Sequence, residues 1–211
     1  MKNGNKKSRF YKITHATFSG IVKILFNIRV INPENEPDEG GCLICANHVS
    51  ATDPIIICYA FKKNQAHFMA KKELFKIPFL RGLIKLLGAF PVDRSGADVG
   101  AIKKAIAMLN DKNSVGIFPQ GHRHKKVDPR STSVKNGAGL ICHRAECDVV
   151  PVYILRKNNT FRLFKRTYVI IGDKIEKSAV ASKNNEEITS FIFDKVCALG
   201  ESALSDTSIK L

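Results

Sequence analysis

Apolar residues recur at helical spacing near the start of the chain. At 100° per residue Phe10, Phe18, Ile21, Leu25 and Ile28 share one broad face, with Arg9, Lys12, Lys23 and Asn27 opposite and Arg29 a misfit near the end. This predicts one amphipathic helix over 9–29. The polar, turn-rich stretch INPENEPDEGG (31–41) reads as a linker. Beyond it, short apolar runs predict strands at CLICA (42–46), AHFMA (66–70), GAFPV (88–92), SVGIF (114–118), VVPVYIL (149–155) and TYVIIG (167–172). Helical patterns fall between them. One starts at Asp53-Pro54, with Asp as N-cap and Pro at the first helical position; another covers 71–88 with a break at Pro78. Others cover 95–113, 138–146 and roughly 184–200. Strands alternating with helices predict an α/β domain with a largely parallel central sheet flanked by helices. The pattern divides the chain into an N-terminal helical extension, 1–31, and a domain over 40–211.

The 211 residues suit one domain of ordinary size. A formal charge of +15 changes the picture, because it is unevenly spread. Residues 1–31 hold seven Lys or Arg and no acid; 32–61 hold five acids and no Lys or Arg; 62–135 hold sixteen basic and five acidic side chains. Such a chain seeks a polyanion: nucleic acid, an anionic membrane surface or a phosphorylated substrate. The N-terminal helix either docks on the domain or lies in a bilayer surface, and the absence of acid favours the second. No run reaches the ~18 apolar residues of a membrane span. The nearest, 42–61, contains Asn47, His48, Asp53 and Pro54. Six cysteines, mostly inside apolar runs, suggest free, buried thiols in a reducing compartment. Cys42 and Cys45 are an odd offset apart in a strand, on opposite faces, so no metal site is expected. No nucleic-acid-binding motif is recognisable, and no nucleic-acid partner is expected.

Candidate chemistry sits in the loops after three strands, where open α/β sheets bind ligands. In NHVSATDP (47–54), His48 and Asp53 are five residues apart across a strand-to-helix turn. Folded together, the carboxylate would fix the imidazole tautomer and leave the other nitrogen as a general base. The plain alternative is a capping Asp and a loop His. No G-x-S-x-G, Walker A or G-x-G-x-x-G sequence accompanies them. Ser50 reads as a turn hydrogen-bonder, so a base here would act on a substrate hydroxyl. In GIFPQGHRHK (116–125), Gly121 permits close backbone approach and Arg123 offers a fork for phosphate; alone, the stretch also reads as a solvated basic loop. In GAFPVDR (88–94), Asp93 and Arg94 follow a strand, and alone they read as a surface ion pair.

In this order NHVSATDP, GAFPVDR, FPQGHR and VVPVYI resemble the four sequence blocks of the glycerolipid acyltransferases, specifically the 1-acyl-glycerol-3-phosphate acyltransferases. The matching residues are Asn47, His48, Ser50 and Asp53; Gly88, Asp93 and Arg94; Phe118, Pro119, Gly121 and Arg123; and Pro151. The resemblance implies acyl transfer from acyl-CoA or acyl-carrier protein to the free hydroxyl of a lysophospholipid, lysophosphatidate above all. His48 would be the base oriented by Asp53, with no acyl-enzyme and no cofactor. Arg123, Gly121, Gln120 and Arg94 would hold the acceptor and its phosphate, with Asn47 and Ser50 in support. Lys71, Lys72, Lys125 and Lys126 would add positive potential. The enzyme would sit peripherally on the cytoplasmic face of the cell membrane, against anionic lipid. Gln120 stands where the family usually has Glu, and His122 where it has Thr or Ser. That difference leaves glycerol-3-phosphate or another lyso-lipid open as acceptor.

Overall fold

The computed structural model describes residues 20, 22–38, 41–93 and 99–209. Among the described residues seven strands form one sheet in the order β1-β7-β6-β2-β5-β3-β4. They are β1 (Ile28–Ile31), β2 (Leu43–Ala46), β3 (Ala66–Lys71), β4 (Phe90–Val92), β5 (Ser114–Ile117), β6 (Val149–Arg156) and β7 (Thr167–Ile171). Neighbours run parallel except β6 and β7, whose register pairs Val152 with Ile171 and Arg156 with Thr167. Among the described residues the sheet is flanked by α1 (Asp53–Ala60), α2 (Pro78–Leu86), α3 (Val99–Asn110), α4 (Gly137–Ala145) and α5 (Asn185–Ser205), beside the helical residues 22–26. This is an α/β fold with a mostly parallel sheet, as the alternation predicts. Among the described residues no helix is long and apolar enough to cross a membrane.

Alternate side chains of each strand feed two apolar layers. On one face Leu43, Cys45, Val115 and Leu155 meet α3, α4 and α5; on the other Ile44, Ala46, Val152 and Ile154 meet α1 and the helical residues 22–26. Cys42 and Cys45 fall into these opposite layers. Pro151 is tolerated in a central strand because its carbonyl, and so its ring nitrogen, faces the β7 side. There it accepts from Gly172 N at 2.9 Å, just past the end of the β6–β7 ladder.

Two expectations need correction. The helix predicted over 9–29 lies outside the described residues through 19 and at 21, and it does not reach 29. Asn27 takes a left-handed conformation (φ 44°) after the helical residues 22–26, and β1 begins at Ile28. An Asn just past a helix end in this conformation is a known stop. The sheet therefore starts before the domain boundary expected at 40. The 31–41 stretch is also more than a linker. Glu36 is buried, and its carboxylate accepts from the backbone N–H of Lys62, Lys63 and Asn64 at 2.6–2.7 Å. That staple closes the turn between α1 and β3.

Candidate active site

Because β2, β3, β4, β5 and β6 run parallel, the loops after β2, β4 and β5 open at one edge of the sheet. Asn47 starts the first of them. Its side chain continues the β2–β6 ladder, accepting from Ile154 N at 2.7 Å and donating to Ile154 O at 3.1 Å. With Asn47 clamped and fully buried, the next residue, His48, is aimed out of the sheet edge.

Asp53 is expected to cap α1, but the structure uses it differently. Thr52 takes the N-cap position, and Asp53, the first helical residue, turns its carboxylate back on the loop. Oδ2 accepts from His48 Nδ1 at 2.9 Å and from the backbone N–H of Val49 and Ser50 at 2.7 Å each. Oδ1 accepts from Arg156 Nη1 at 2.7 Å. Asp53 and Arg156 are both buried. Burial would push the Asp53 carboxyl up, but the His48 hydrogen bond, the Arg156 charge and the backbone donors outweigh it and hold the carboxyl below its ordinary value. An ionised Asp53 takes the proton-bearing Nδ1 of His48 and leaves Nε2 as the basic nitrogen. The His48 ring lies flat on Phe118, with centroids 4.0 Å apart and planes 12° apart.

Gln120 fixes the loop from its other side. Its Oε1 accepts from His48 N at 2.7 Å, and its Nε2 donates to Thr132 Oγ1 at 2.7 Å. Thr132 in turn donates to Pro129 O at 2.6 Å. Gln120 is 2% exposed, so this side chain ties two loops together and does not reach out to a ligand as its block suggests. Ser50 is the turn hydrogen-bonder expected, accepting at Oγ from Thr52 N and Thr52 Oγ1 at 3.3 and 3.0 Å.

His48 opens onto a cavity of about 230 Å³. Its polar mouth carries Gly121, His122, Lys135 and Asp93. Its inner wall is apolar, formed by Met69, Val92, Ala101, Ile102, Ile117 and Ile141. Gly121 sits at φ 71° in a turn closed by its N–H to Phe118 O at 2.9 Å, a conformation that favours glycine. Residues from the first three blocks therefore meet in one space. Arg123 is exposed and is not part of the cavity wall. Arg94 lies outside the described residues. Lys71 and Lys72 are engaged by Glu73 and Asp93, so their charge is partly spent. Lys125 and Lys126 are exposed.

Arg156, Lys135 and Thr132 are what the sequence reading missed. Arg156 is the instructive one, a charged residue closing a strand that is buried at all eight positions. Few buried arginines lack a partner, and that is the available signal. Its partner, 103 residues away, has no local mark.

Comparison with known proteins shows the family. The pattern of the family described as Acyltransferase matches residues 27–155. The chain is 31% identical over 179 residues to the 1-acyl-sn-glycerol-3-phosphate acyltransferase of Bacillus subtilis, covering 84% of this chain and 88% of that one. It is 32% identical over 196 residues to the protein of the same name from Streptococcus pneumoniae, covering 88% and 72%. The crystal structure of the 1-acyl-sn-glycerophosphate (LPA) acyltransferase PlsC from Thermotoga maritima shares the fold, with a TM-score of 0.76 at 23% identity over 94% of this chain and 83% of that one. The chain belongs to the acyltransferase family.

Proposed function

We propose that the protein transfers a fatty acyl group from an acyl thioester to the free hydroxyl of 1-acyl-glycerol-3-phosphate, giving phosphatidate. The observation that carries this reading is His48, oriented through Nδ1 by a buried Asp53 and open to a cavity that is polar at its mouth and apolar within. His48 Nε2 takes the acceptor hydroxyl proton as the oxygen attacks the thioester carbonyl. The tetrahedral intermediate then expels the thiolate, which leaves with the proton His48 holds. No covalent acyl-enzyme is needed. The apolar wall from Met69 to Ile141 suits an acyl chain. Lys135 and His122 at the mouth, with Arg123 on the adjoining surface, suit the acceptor phosphate.

Gln120 motivates another acceptor, such as glycerol-3-phosphate. Its amide is used within the protein at both ends, so its difference from Glu gives little ground for that alternative. Acyl-CoA and acyl-carrier protein are both acidic donors suited to a basic surface. The basic segment 1–31 would hold the enzyme peripherally on the cytoplasmic face of an anionic membrane. The test is product formation from each donor with lysophosphatidate in anionic vesicles. Phosphatidate from either donor supports the reading. Product only with glycerol-3-phosphate would move the acceptor, and no product with any lyso-lipid would end the proposal.

A further inference from the structure

The connection between β6 and β7 carries chemistry the proposed reaction does not use. Leu163 and Phe164 stand side by side in it, 53% and 61% exposed. Around them the segment 157–166 holds Lys157, Arg162, Lys165 and Arg166 and no acid. Lys126 and Arg156 join these cations around one open recess, which Phe164 also lines. Arg156 Nη2 is buried there without a hydrogen-bond partner. Phe164 is held at φ 62°, a region bulky side chains rarely take. Its N–H donates to Leu25 O at 2.8 Å, and its carbonyl accepts from Asn27 Nδ2 at 3.2 Å. The chain thus fixes an apolar ring outward, beside the helical residues 22–26 of the basic N-terminal segment. Ile24 on those residues is 69% exposed.

This surface lies at the active-site edge. β6 runs parallel to β2, so the connection leaves the sheet where the His48 loop does. Lys126 N donates to Asn159 O at 3.1 Å and Asn159 Nδ2 to Val127 O at 2.9 Å, while His124 N donates to His48 O at 2.9 Å. A short run of backbone therefore joins the catalytic loop to the exposed tip.

We propose that the 157–166 connection is an interfacial anchor. Leu163 and Phe164 enter the headgroup–acyl boundary of an anionic bilayer, with Ile24 beside them, and Lys157, Arg162, Lys165 and Arg166 contact lipid phosphates. A soluble phosphate would satisfy the cations and leave the apolar side chains in water. A nucleic acid would stack on Phe164 and leave Leu163 and Ile24 without a role. Apolar tips ringed by cations match a bilayer surface in both respects. The inference rests on the reading of the enzyme as one that acts at a membrane, and it adds to residues 1–31 an anchor carried by the 157–166 connection.

The chain contains no Trp, so Phe164→Trp introduces a single tryptophan at the tip, excited selectively over the tyrosines. With vesicles of phosphatidylglycerol and phosphatidylcholine, its emission moves to the blue and is quenched by brominated lipid. The double variant Leu163→Ser/Phe164→Ser, checked for an unchanged melt, binds the same vesicles at least ~tenfold more weakly, since burying either side chain is worth about that factor or more. Lys165→Glu/Arg166→Glu weakens binding in low salt. An introduced tryptophan that stays in water on vesicle-bound protein overturns the proposal. So does emission already blue-shifted and shielded without lipid, or a shift with RNA and none with vesicles. These readouts need no turnover, so a chain that fails to acylate lysophosphatidate can still pass them.

Discussion

Replacing Arg156 with methionine tests whether the His48–Asp53 pair depends on a cation from across the sheet. The change leaves Asp53, which has no exposed surface, with His48 and two backbone donors. Removing one partner of a buried ion pair costs about 3–5 kcal/mol. Three remaining donors, and the relief of the unpartnered Nη2, place this case near the lower figure. For a chain of this size, each kcal/mol moves the melting temperature about 2–4 °C, so ~3 kcal/mol predicts a fall of about 6–12 °C. The pH dependence has a definite sign. Asp53 is held below its ordinary value, so its contribution to stability is full above the unfolded value of about 3.9 and is lost as pH falls through the lower folded value. Without Arg156 the folded value rises. Acid unfolding and the acid limb of acyl transfer both move to higher pH. Arg156→Lys restores the charge without the planar fork and recovers part of both. Thermal melts by circular dichroism, with rate–pH profiles taken well below the melt, read these effects. A methionine variant that melts within about 2 °C of the parent and keeps its pH profile would refute the reasoning.

Three further outcomes follow from the same geometry. Gln120→Ala leaves the His48 N–H buried without its acceptor and costs about 1–3 kcal/mol in urea unfolding; Gln120→Glu keeps the acceptor and falls between. Equal stability of Gln120→Ala and the parent would show that the side chain holds nothing. Gly139→Ala places a Cβ 1.9 Å from Asn185 O where α4 meets α5, and costs about 1–3 kcal/mol or more, read as a melt several degrees lower. The six cysteines are buried and free, and burial pushes Cys42 and Cys197 up to about 11. A thiol reagent at pH 8 therefore labels the native chain slowly and the unfolded chain at once; rapid labelling of folded protein would contradict the burial.

Strand runs such as CLICA, AHFMA and VVPVYIL were legible because each is a short apolar run set between polar stretches. β1 was not, because Ile28 continues the apolar face of the helical pattern before it, and four residues at a sheet edge are too few to show a period of their own, even with Arg29 out of place. Asn27 is the stop signal that separates the two. In the site, the five-residue spacing of His48 and Asp53 left a capping Asp and a loop His open, and it was the resemblance of four ordered blocks that implied the chemistry. The supports of this pair carry no local signal, because Asn47 meets Ile154 and Asp53 meets Arg156 over more than 100 residues. Gln120 was legible as a site position and misleading as to direction, since a sequence does not say which way an amide points. Glu36 looked like linker charge because its three partners are backbone groups, which carry no side-chain signature.

The most direct test of the account is acyl transfer to lysophosphatidate in anionic vesicles by the parent and by His48→Ala, with melts and vesicle binding measured alongside. A base in this position contributes about 10²–10⁴-fold, so the variant is expected to lose at least ~100-fold in rate while folding and binding as the parent does. A folded, vesicle-bound His48→Ala protein that forms phosphatidate at the parent's rate would contradict it.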